Sequence, residues 1–344
     1  MNRVGWLRKS LVLMLVTAGC LGSFPAFAAG PFNITYFDAP WADPAGSGTK
    51  AFGINNSREV VGSYYDGDNS VHGFLRDAGG NYSQINVPGA NQTWAETINN
   101  SGKIVGGYED SLGFQRGFIY DRVTASYQTY DAPSLGTYLT FIDYMNDNGD
   151  FSGHFMKSGD PYWRGFSVRS GVFSEMSIMG TNLGYDYYET DFDTLTNNNL
   201  MAGHFNDGMT QGFFSSDNGA TFNYFDIGGY FDTELERING KKEGVGYLTD
   251  TNNAANAVYF KDVSVGSPEY FLLFGLNNSG WLDSFAEGIN EDGVLAGYAG
   301  DGIRHRSFIA EPSNAVPEPS TFLLTGAGIA ALGFLARRRN RNSR

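Results

Sequence analysis

Ile98-Asn99-Asn100-Ser101-Gly102-Lys103-Ile104-Val105-Gly106 is the clearest copy of a pattern that recurs along the chain. Asn and Gly tolerate φ > 0, so Asn-Asn-Ser-Gly reads as a tight turn between two strands, and the second strand ends at the anchor glycine. Other copies run from Ile54 to Gly62, Met145 to Gly153, Leu195 to Gly203, Ile238 to Gly246 and Ile289 to Gly297. The fourth copy has lost its first Asn and carries Thr196 there. Successive anchor glycines stand 44, 47, 50, 43 and 51 residues apart. That period belongs to propeller blades or helical arrays. No window of helical length keeps a 3.6-residue apolar stripe, so the helical option fails.

Working outward, about ten residues after each anchor comes a Gly-Phe signal, as in Gly73-Phe74, Gly117-Phe118, Gly165-Phe166 and Gly212-Phe213. Its looser forms are Ala257-Val258-Tyr259 and Ser307-Phe308-Ile309. Another apolar alternation follows each, for example Tyr82 to Val87 and Tyr127 to Asp131. The unit is therefore four strands, A to D, the content of one propeller blade. The sixth unit runs out after strand C, near Glu311. An orphan D-like strand, Phe32-Asn33-Ile34-Thr35-Tyr36-Phe37-Asp38-Ala39-Pro40, stands at the other end and matches Tyr127 to Pro133 down to its Asp-Ala-Pro exit. The expected fold is an all-β, six-bladed β-propeller in which strand 32–38 completes the last blade. Closure removes the open edges of an unfinished array. The alternative is an open β-repeat solenoid.

Composition agrees with short strands and tight turns. Aromatic residues make up 15 %, charged residues only 17 %, and there are 46 Gly. Net charge is −14. Between 29 and 316 there remain 15 basic and 36 acidic residues, so the body is more acidic still. Such a surface repels nucleic acid and anionic lipid. Cys20 is the only cysteine, which leaves the body without disulfides or thiolate chemistry.

Both ends read as addresses. Arg3, Arg8 and Lys9 precede an apolar run from Leu11 to about Phe24, and Ala26-Phe27-Ala28 is a small-x-small site. Residues 1–28 are expected to be a signal peptide, cut by signal peptidase between Ala28 and Ala29. A rival reading lipidates Cys20. At the C-terminus, Val316-Pro317-Glu318-Pro319 is followed by the apolar stretch Ser320 to Ala336 and then Arg337, Arg338, Arg339, Arg341 and Arg344. As a helix the stretch spans roughly 25 Å, and the arginines can snorkel to complete a bilayer crossing. The arginines should stay cytoplasmic. The expected organisation is signal peptide 1–28, propeller 29–312, tether 313–319 and a transmembrane sorting helix with arginine tail, 320–344.

The tail resembles the PEP-CTERM sorting signal over Val316 to Arg344. The resemblance implies recognition by an exosortase-type membrane enzyme, cleavage near Pro317-Glu318-Pro319 and loss of the helix. The protein would be anchored briefly in the inner membrane and then delivered to the cell surface or an exopolysaccharide matrix. The repeats resemble the HAF family of extracellular repeats. Gly53-Ile54-Asn55-Asn56-Ser57 to Gly62 and then His72-Gly73-Phe74 carry that likeness; the second copy has Arg116 where the His stands. It implies a secreted β-repeat protein.

No catalytic constellation emerges. There is no Ser nucleophile elbow, zinc-protease helix or phosphate-cradling glycine loop, and no cofactor is expected. His154 and His204 each follow an anchor glycine, where other copies place Ser63, Gly107, Tyr247 and Tyr298. That reads as a variable strand face, with a two-histidine metal site across neighbouring blades as the alternative. Asp186, Glu189, Asp191 and Asp193, with Tyr185, Tyr187 and Tyr188, form the densest acid–aromatic cluster. Acid plus aromatic is what glycan binding needs, so Tyr185, Asp186, Tyr187, Tyr188 and Glu189 are the candidate glycan contacts. Asp66-Gly67-Asp68-Asn69-Ser70 resembles the start of a calcium loop but lacks its sixth-place Gly and twelfth-place Glu. It reads as a B–C turn, with calcium at Asp66 and Asp68 as the alternative. The expected role is structural, adhesive or weakly glycan-binding; a secreted glycan-acting hydrolase is the rival, since carboxylate pairs are plentiful.

Overall fold

The computed structural model describes residues 32–134, 136–159, 163–176, 189–206, 209–274 and 281–313. Within them the chain is all-β and forms a six-bladed β-propeller. The first strand is Phe32–Phe37 (β1). Blade 1 comprises Thr49–Ile54 (β2), Val60–Tyr65 (β3), Val71–Arg76 (β4) and Tyr82–Ile85 (β5). Blade 2 is Gln92–Ile98 (β6), Lys103–Glu109 (β7), Gln115–Asp121 (β8) and Ser126–Tyr130 (β9). Blade 3 is Thr137–Met145 (β10), Phe151–Lys157 (β11), Arg164–Arg169 (β12) and Val172–Met176 (β13). Blade 4 is Glu189–Leu195 (β14), Met201–Asn206 (β15), Thr210–Ser215 (β16) and Asn223–Phe225 (β17). Blade 5 is Asp232–Ile238 (β18), Gly244–Thr249 (β19), Ala255–Phe260 (β20) and Tyr270–Leu272 (β21). Blade 6 has only three sequential strands, Asp283–Ile289 (β22), Leu295–Gly300 (β23) and His305–Pro312 (β24).

Its fourth strand comes from the other end of the chain. β1 pairs antiparallel with β24, from Phe32 opposite Pro312 to Phe37 opposite Ser307. The sheet order β1-β24-β23-β22 makes blade 6 equal to its neighbours. Asp38, at the exit of β1, is held by Arg306 Nε at 3.1 Å and by Arg304 at 3.2 Å. The orphan strand thus closes the ring, and the open solenoid is excluded.

The core lies between blades rather than within one. Val61, Leu75 and Ile85 of blade 1 pack with Ala95, Ile104 and Phe118 of blade 2. Val245 and Ala257 of blade 5 likewise meet Ala286, Leu295 and Phe308 of blade 6. The Gly-Phe phenylalanines Phe74, Phe118, Phe166, Phe213 and Phe308 are fully buried in these layers.

The Asn-Asn turn does more than was expected of it. The left-handed residue is the fourth of the motif, Gly102 (φ 80°), Gly149 or Gly293, with Arg58, Asn199 and Lys242 in the copies that lack Gly there. The first Asn instead turns its side chain inward as a cap. Asn99 Oδ1 accepts from the amides of Ser101 and Lys103, at 3.1 and 2.9 Å, while its Nδ2 donates to the carbonyl of Asn146 in the next blade at 3.0 Å. Asn55, Asn146, Asn239 and Asn290 make the same blade-to-blade bond to Asn99, Thr196, Asn290 and Asn55. A second, outer ring runs from each following residue's amide to the next copy's side chain: Asn56 to Asn100, Asn100 to Asp147, Asp147 to Asn197, Gly240 to Glu291 and Glu291 to Asn56.

Both rings are open at one joint. Thr196 has no side-chain amide, and Gly240 has no side chain to accept, so neither the inner asparagine bond nor the outer-ring bond joins blades 4 and 5. Thr194 substitutes in part: its Oγ1 donates to the Glu236 carbonyl at 3.4 Å and accepts from the Ile238 amide at 3.3 Å.

Candidate functional site

The inner strand of every blade carries a β-bulge where it faces the axis. Its ladder skips Phe52 in β2, Glu96 in β6, Asp143 in β10, Phe192 and Asp193 in β14, Glu236 in β18 and Glu287 in β22. A bulge bends its strand and re-aims the extra side chain. Here it aims one residue per blade at the axial channel, and in five of six blades that residue is an acid. The anchor glycines follow from this geometry. A Cβ on Gly106, Gly153 or Gly203 would overlap the carbonyl oxygen of Trp94, Phe141 or Asp191 on the adjacent inner strand.

One step toward the face formed by the D–A and B–C loops lies a second layer, built from the residue two before each bulge position and its partner after the anchor glycine. In blades 3, 4 and 5 these pairs are Phe141 with His154, Asp191 with His204, and Glu234 with Tyr247. His154 and His204 therefore belong to the channel. His154 Nδ1 lies 2.7 Å from Asp143 Oδ2 and 3.8 Å from Asp191 Oδ1. His204 lies 3.1 Å from Asp193 through Nδ1, and 3.4 Å from Asp191 and 3.7 Å from Glu234 through Nε2. Asp191 thus sits between the two imidazoles. Arg237 spans the channel from blade 5: Nη2 donates to the Asp143 carbonyl at 2.9 Å, and Nη1 lies 3.7 Å from Asp193 Oδ1. Tyr247 donates to Glu234.

The electrostatics are those of a crowded, half-buried ring. Burial pushes Glu96 up to about 8, with Asp143 adding to the effect. Burial also raises Asp193 and Glu234 to about 7 each, although His204 pulls both down. Glu236 and Glu287 are raised for the same reason. The histidines go up as well. Burial works to lower His154, but Asp143 and Asp191 outweigh it and bring it up to about 10. His204 is raised well above its ordinary value by Asp193 and Asp191 against the same burial. Seven carboxylates thus surround one arginine and two histidines. Such a site favours positive charge and retains protons. At the far end of the channel the asparagine rings line a solvent-open depression.

The sequence-predicted residues distribute unevenly. Tyr185, Asp186, Tyr187 and Tyr188 lie outside the described residues, and Glu189 opens β14. Asp191 and Asp193, from the same acid-rich stretch, turn into the channel. Asp66 Oδ1 accepts from the amides of Asp68 and Ser70, and Oδ2 faces His72 Nε2 at 3.0 Å, so this carboxylate is committed to its own turn. Asp110 and Asp250 cap their B–C turns in the same way. Ala26, Ala28 and Ala29, and Val316 to Pro319 with Arg337 to Arg339, fall outside the described residues. The acid ring was missed by motif search. Its signal was present: Glu96, Asp143, Asp193, Glu236 and Glu287 each stand two residues before the apolar residue that opens the repeat.

The chain's tail finds a match. Residues 315–339 match the PEP-CTERM protein-sorting motif. That motif implies processing by an exosortase-type membrane enzyme and accords with export and membrane anchoring beforehand. The match covers the tail alone, and no curated protein matches the chain. Among solved structures the chain is similar to oligogalacturonate lyase from Vibrio parahaemolyticus, at 10 % identity and TM-score 0.49, covering 84 % of this chain and 98 % of that one. It is similar to the Aleuria aurantia lectin at 9 % identity and TM-score 0.48, covering 78 % and 98 %. It is also similar to the β-propeller domain of the Trilobed protease from Pyrococcus furiosus at 9 % identity and TM-score 0.42, covering 75 % and 95 %. Likenesses this distant concern the fold alone.

Proposed function

We propose that this is a secreted surface or exopolysaccharide-matrix protein with a structural or adhesive role, binding glycan weakly through the propeller face formed by its D–A and B–C loops. In this reading signal peptidase removes residues 1–28, the PEP-CTERM tail is cut by an exosortase, and the HAF-like ring 29–312 is the delivered part. The observation that carries it is the asymmetry of exposed apolar side chains. Trp41, Leu112, Phe114, Phe231, Leu282 and Ile303 are all exposed and all arise from D–A loops or B–C turns. On the opposite face the groups exposed at or beside the C–D turns are fewer and mostly smaller, Val123, Val172, Val265 and Tyr270. Aromatic rings presented beside acids and amides stack on pyranose faces while the polar groups take hydroxyl hydrogen bonds. In this reading Tyr185 to Tyr188, which stand between β13 and β14 in the sequence, add to the glycan contacts.

The test is a glycan array with residues 29–316, which contain the whole ring. Saturable binding that is lost in Trp41→Ala with Phe231→Ala, without turnover, supports the reading. Binding unchanged in that variant sinks the face assignment. Reducing-end release abolished by Glu96→Gln would instead favour the hydrolase, since raised-pKa carboxylates are what a glycosidase acid requires.

A further inference from the structure

We propose that Asp193 and His204 of blade 4 and Glu236 of blade 5 bind one divalent first-row transition-metal ion in the axial channel, closing the blade joint that the asparagine rings leave open. The three side chains bring one donor atom each to within 4.8 Å of one another. Asp193 is 7 % exposed, and its Oδ2 lies 3.1 Å from His204 Nδ1. Both of these atoms are buried, and the contact lacks hydrogen-bond alignment. Donor atoms sharing one ion through bonds of about 2.0–2.2 Å lie roughly 3.0–3.5 Å apart. Once an ion displaces the His204 Nδ1 proton, the two atoms at this separation fit that arrangement, and Glu236, with a carboxylate oxygen within 4.8 Å of both, supplies the third donor.

The surroundings support an ion here. Arg237 occupies the Oδ1 side of Asp193 at 3.7 Å, which leaves Oδ2 for the axis. Asp191 Oδ2 stands 3.4 Å from His204 Nε2, behind the imidazole, where an outer carboxylate orients a metal-bound histidine. Glu234 and Glu287 stand nearby and hold protons that an entering cation would displace. A donor set of one imidazole nitrogen and two carboxylate oxygens suits zinc, cobalt or manganese; calcium and magnesium prefer oxygen alone.

The position gives the ion a structural use. At the other joints between described blades an asparagine amide or an outer-ring amide bond crosses from one blade to the next. Between blades 4 and 5, Thr196 and Gly240 remove both. Ligands from β14, β15 and β18 would join the same two blades through the channel instead.

The full chain, stripped with chelator, is titrated with Co²⁺ and followed by visible absorption, with Zn²⁺ competition and bound zinc counted by mass spectrometry. One ion per chain with a low-coordinate Co²⁺ band is expected. Asp193→Asn, His204→Gln or Glu236→Gln should each weaken uptake by about 10- to 100-fold or more, while Asp66→Asn, outside the channel, leaves it unchanged. Zn²⁺ should raise the melting temperature of the unsubstituted protein and not that of Asp193→Asn. Three results overturn the proposal: no uptake by the stripped unsubstituted protein, equal uptake in Asp193→Asn and Asp66→Asn, or Ca²⁺ binding that His204→Gln does not disturb. Should a variant fail to fold, the Co²⁺ spectrum of the unsubstituted protein decides alone.

Discussion

The joint between blades 2 and 3 and the joint between blades 4 and 5 are built from the same repeat and held differently. At the first, Asn99 Nδ2 reaches the Asn146 carbonyl, the Asn100 amide reaches Asp147, and Thr97 Oγ1 donates to the Asp143 carbonyl at 2.7 Å. At the second, Thr196 and Gly240 have removed the first two bonds; Thr194 remains at 3.3–3.4 Å, beside the Thr210 amide on Asp232 at 2.7 Å. The joint without ring bonds, packed instead by Phe214 and Phe225 against Leu235 and Phe260, is also where the channel carries Asp191, Asp193, His204, Glu234 and Glu236. The repeat motif is thus a device for joining blades. Where a copy degenerates, the stitch is lost and ionisable groups accumulate nearby.

The most severe way to break this comparison is to open the ring elsewhere. Deleting residues 29–40 removes β1, with its six ladder pairs and the buried Phe37. Differential scanning calorimetry should show a fall in melting temperature of about 10 °C or more, because several kcal/mol of apolar burial and pairing are lost. An unchanged melting curve would mean that closure contributes nothing.

The channel comes next, and it is sensitive to pH. Glu96 ionises near 4.5 when unfolded and only at about 8 when folded. The folded state therefore holds a proton that the unfolded state releases, so stability is full below about pH 4.5 and falls as pH rises towards 8. His154 acts in the same direction at higher pH: its contribution is complete below 6.5 and is lost as pH rises through about 10. Metal-free protein should melt higher at about pH 5.5 than at about pH 8. Glu96→Gln should flatten that slope and be the more stable form at the alkaline end. Phe52, at the same bulge position in blade 1, has no charge to titrate.

The joints themselves are tested by single atoms. Asn99→Asp keeps the oxygen that caps the turn and loses the buried amide that reaches Asn146. Urea unfolding should show a loss of about 1–3 kcal/mol. The smallest effect should be a gain. Thr196→Asn restores a donor facing the Asn239 carbonyl and should stabilise by about 0.5–1.5 kcal/mol. A neutral or destabilising result would show that the joint between blades 4 and 5 cannot accommodate the inner ring.

Much of the architecture was legible because it is periodic. Asn-Asn-Ser-Gly recurs, Gly-Phe follows at a steady distance, and the orphan strand at 32–38 matches Tyr127 to Asp131, so blade count and closure could be read before any packing was known. The Asn pair was legible as turn chemistry, and a turn is there. Its second task lies across blades, and contacts between residues 44 or more apart leave no local trace. The acid ring was harder, because its members belong to five separate strands and share only a position relative to the repeat. Among the candidate residues, Asp191 and Asp193 were noticed for density beside tyrosines, yet alternation and the bulge send them inward.

By itself, the sequence determined the unit, the number of units, the borrowed strand and the sorting tail, since each is a local pattern of turn residues, apolar alternation or charge. Only the tertiary structure decided which side chains meet at the axis. A bulge re-aims one residue per blade, ring closure brings six such residues together from across the chain, and burial there shifts carboxylates and imidazoles far from their ordinary ionisation.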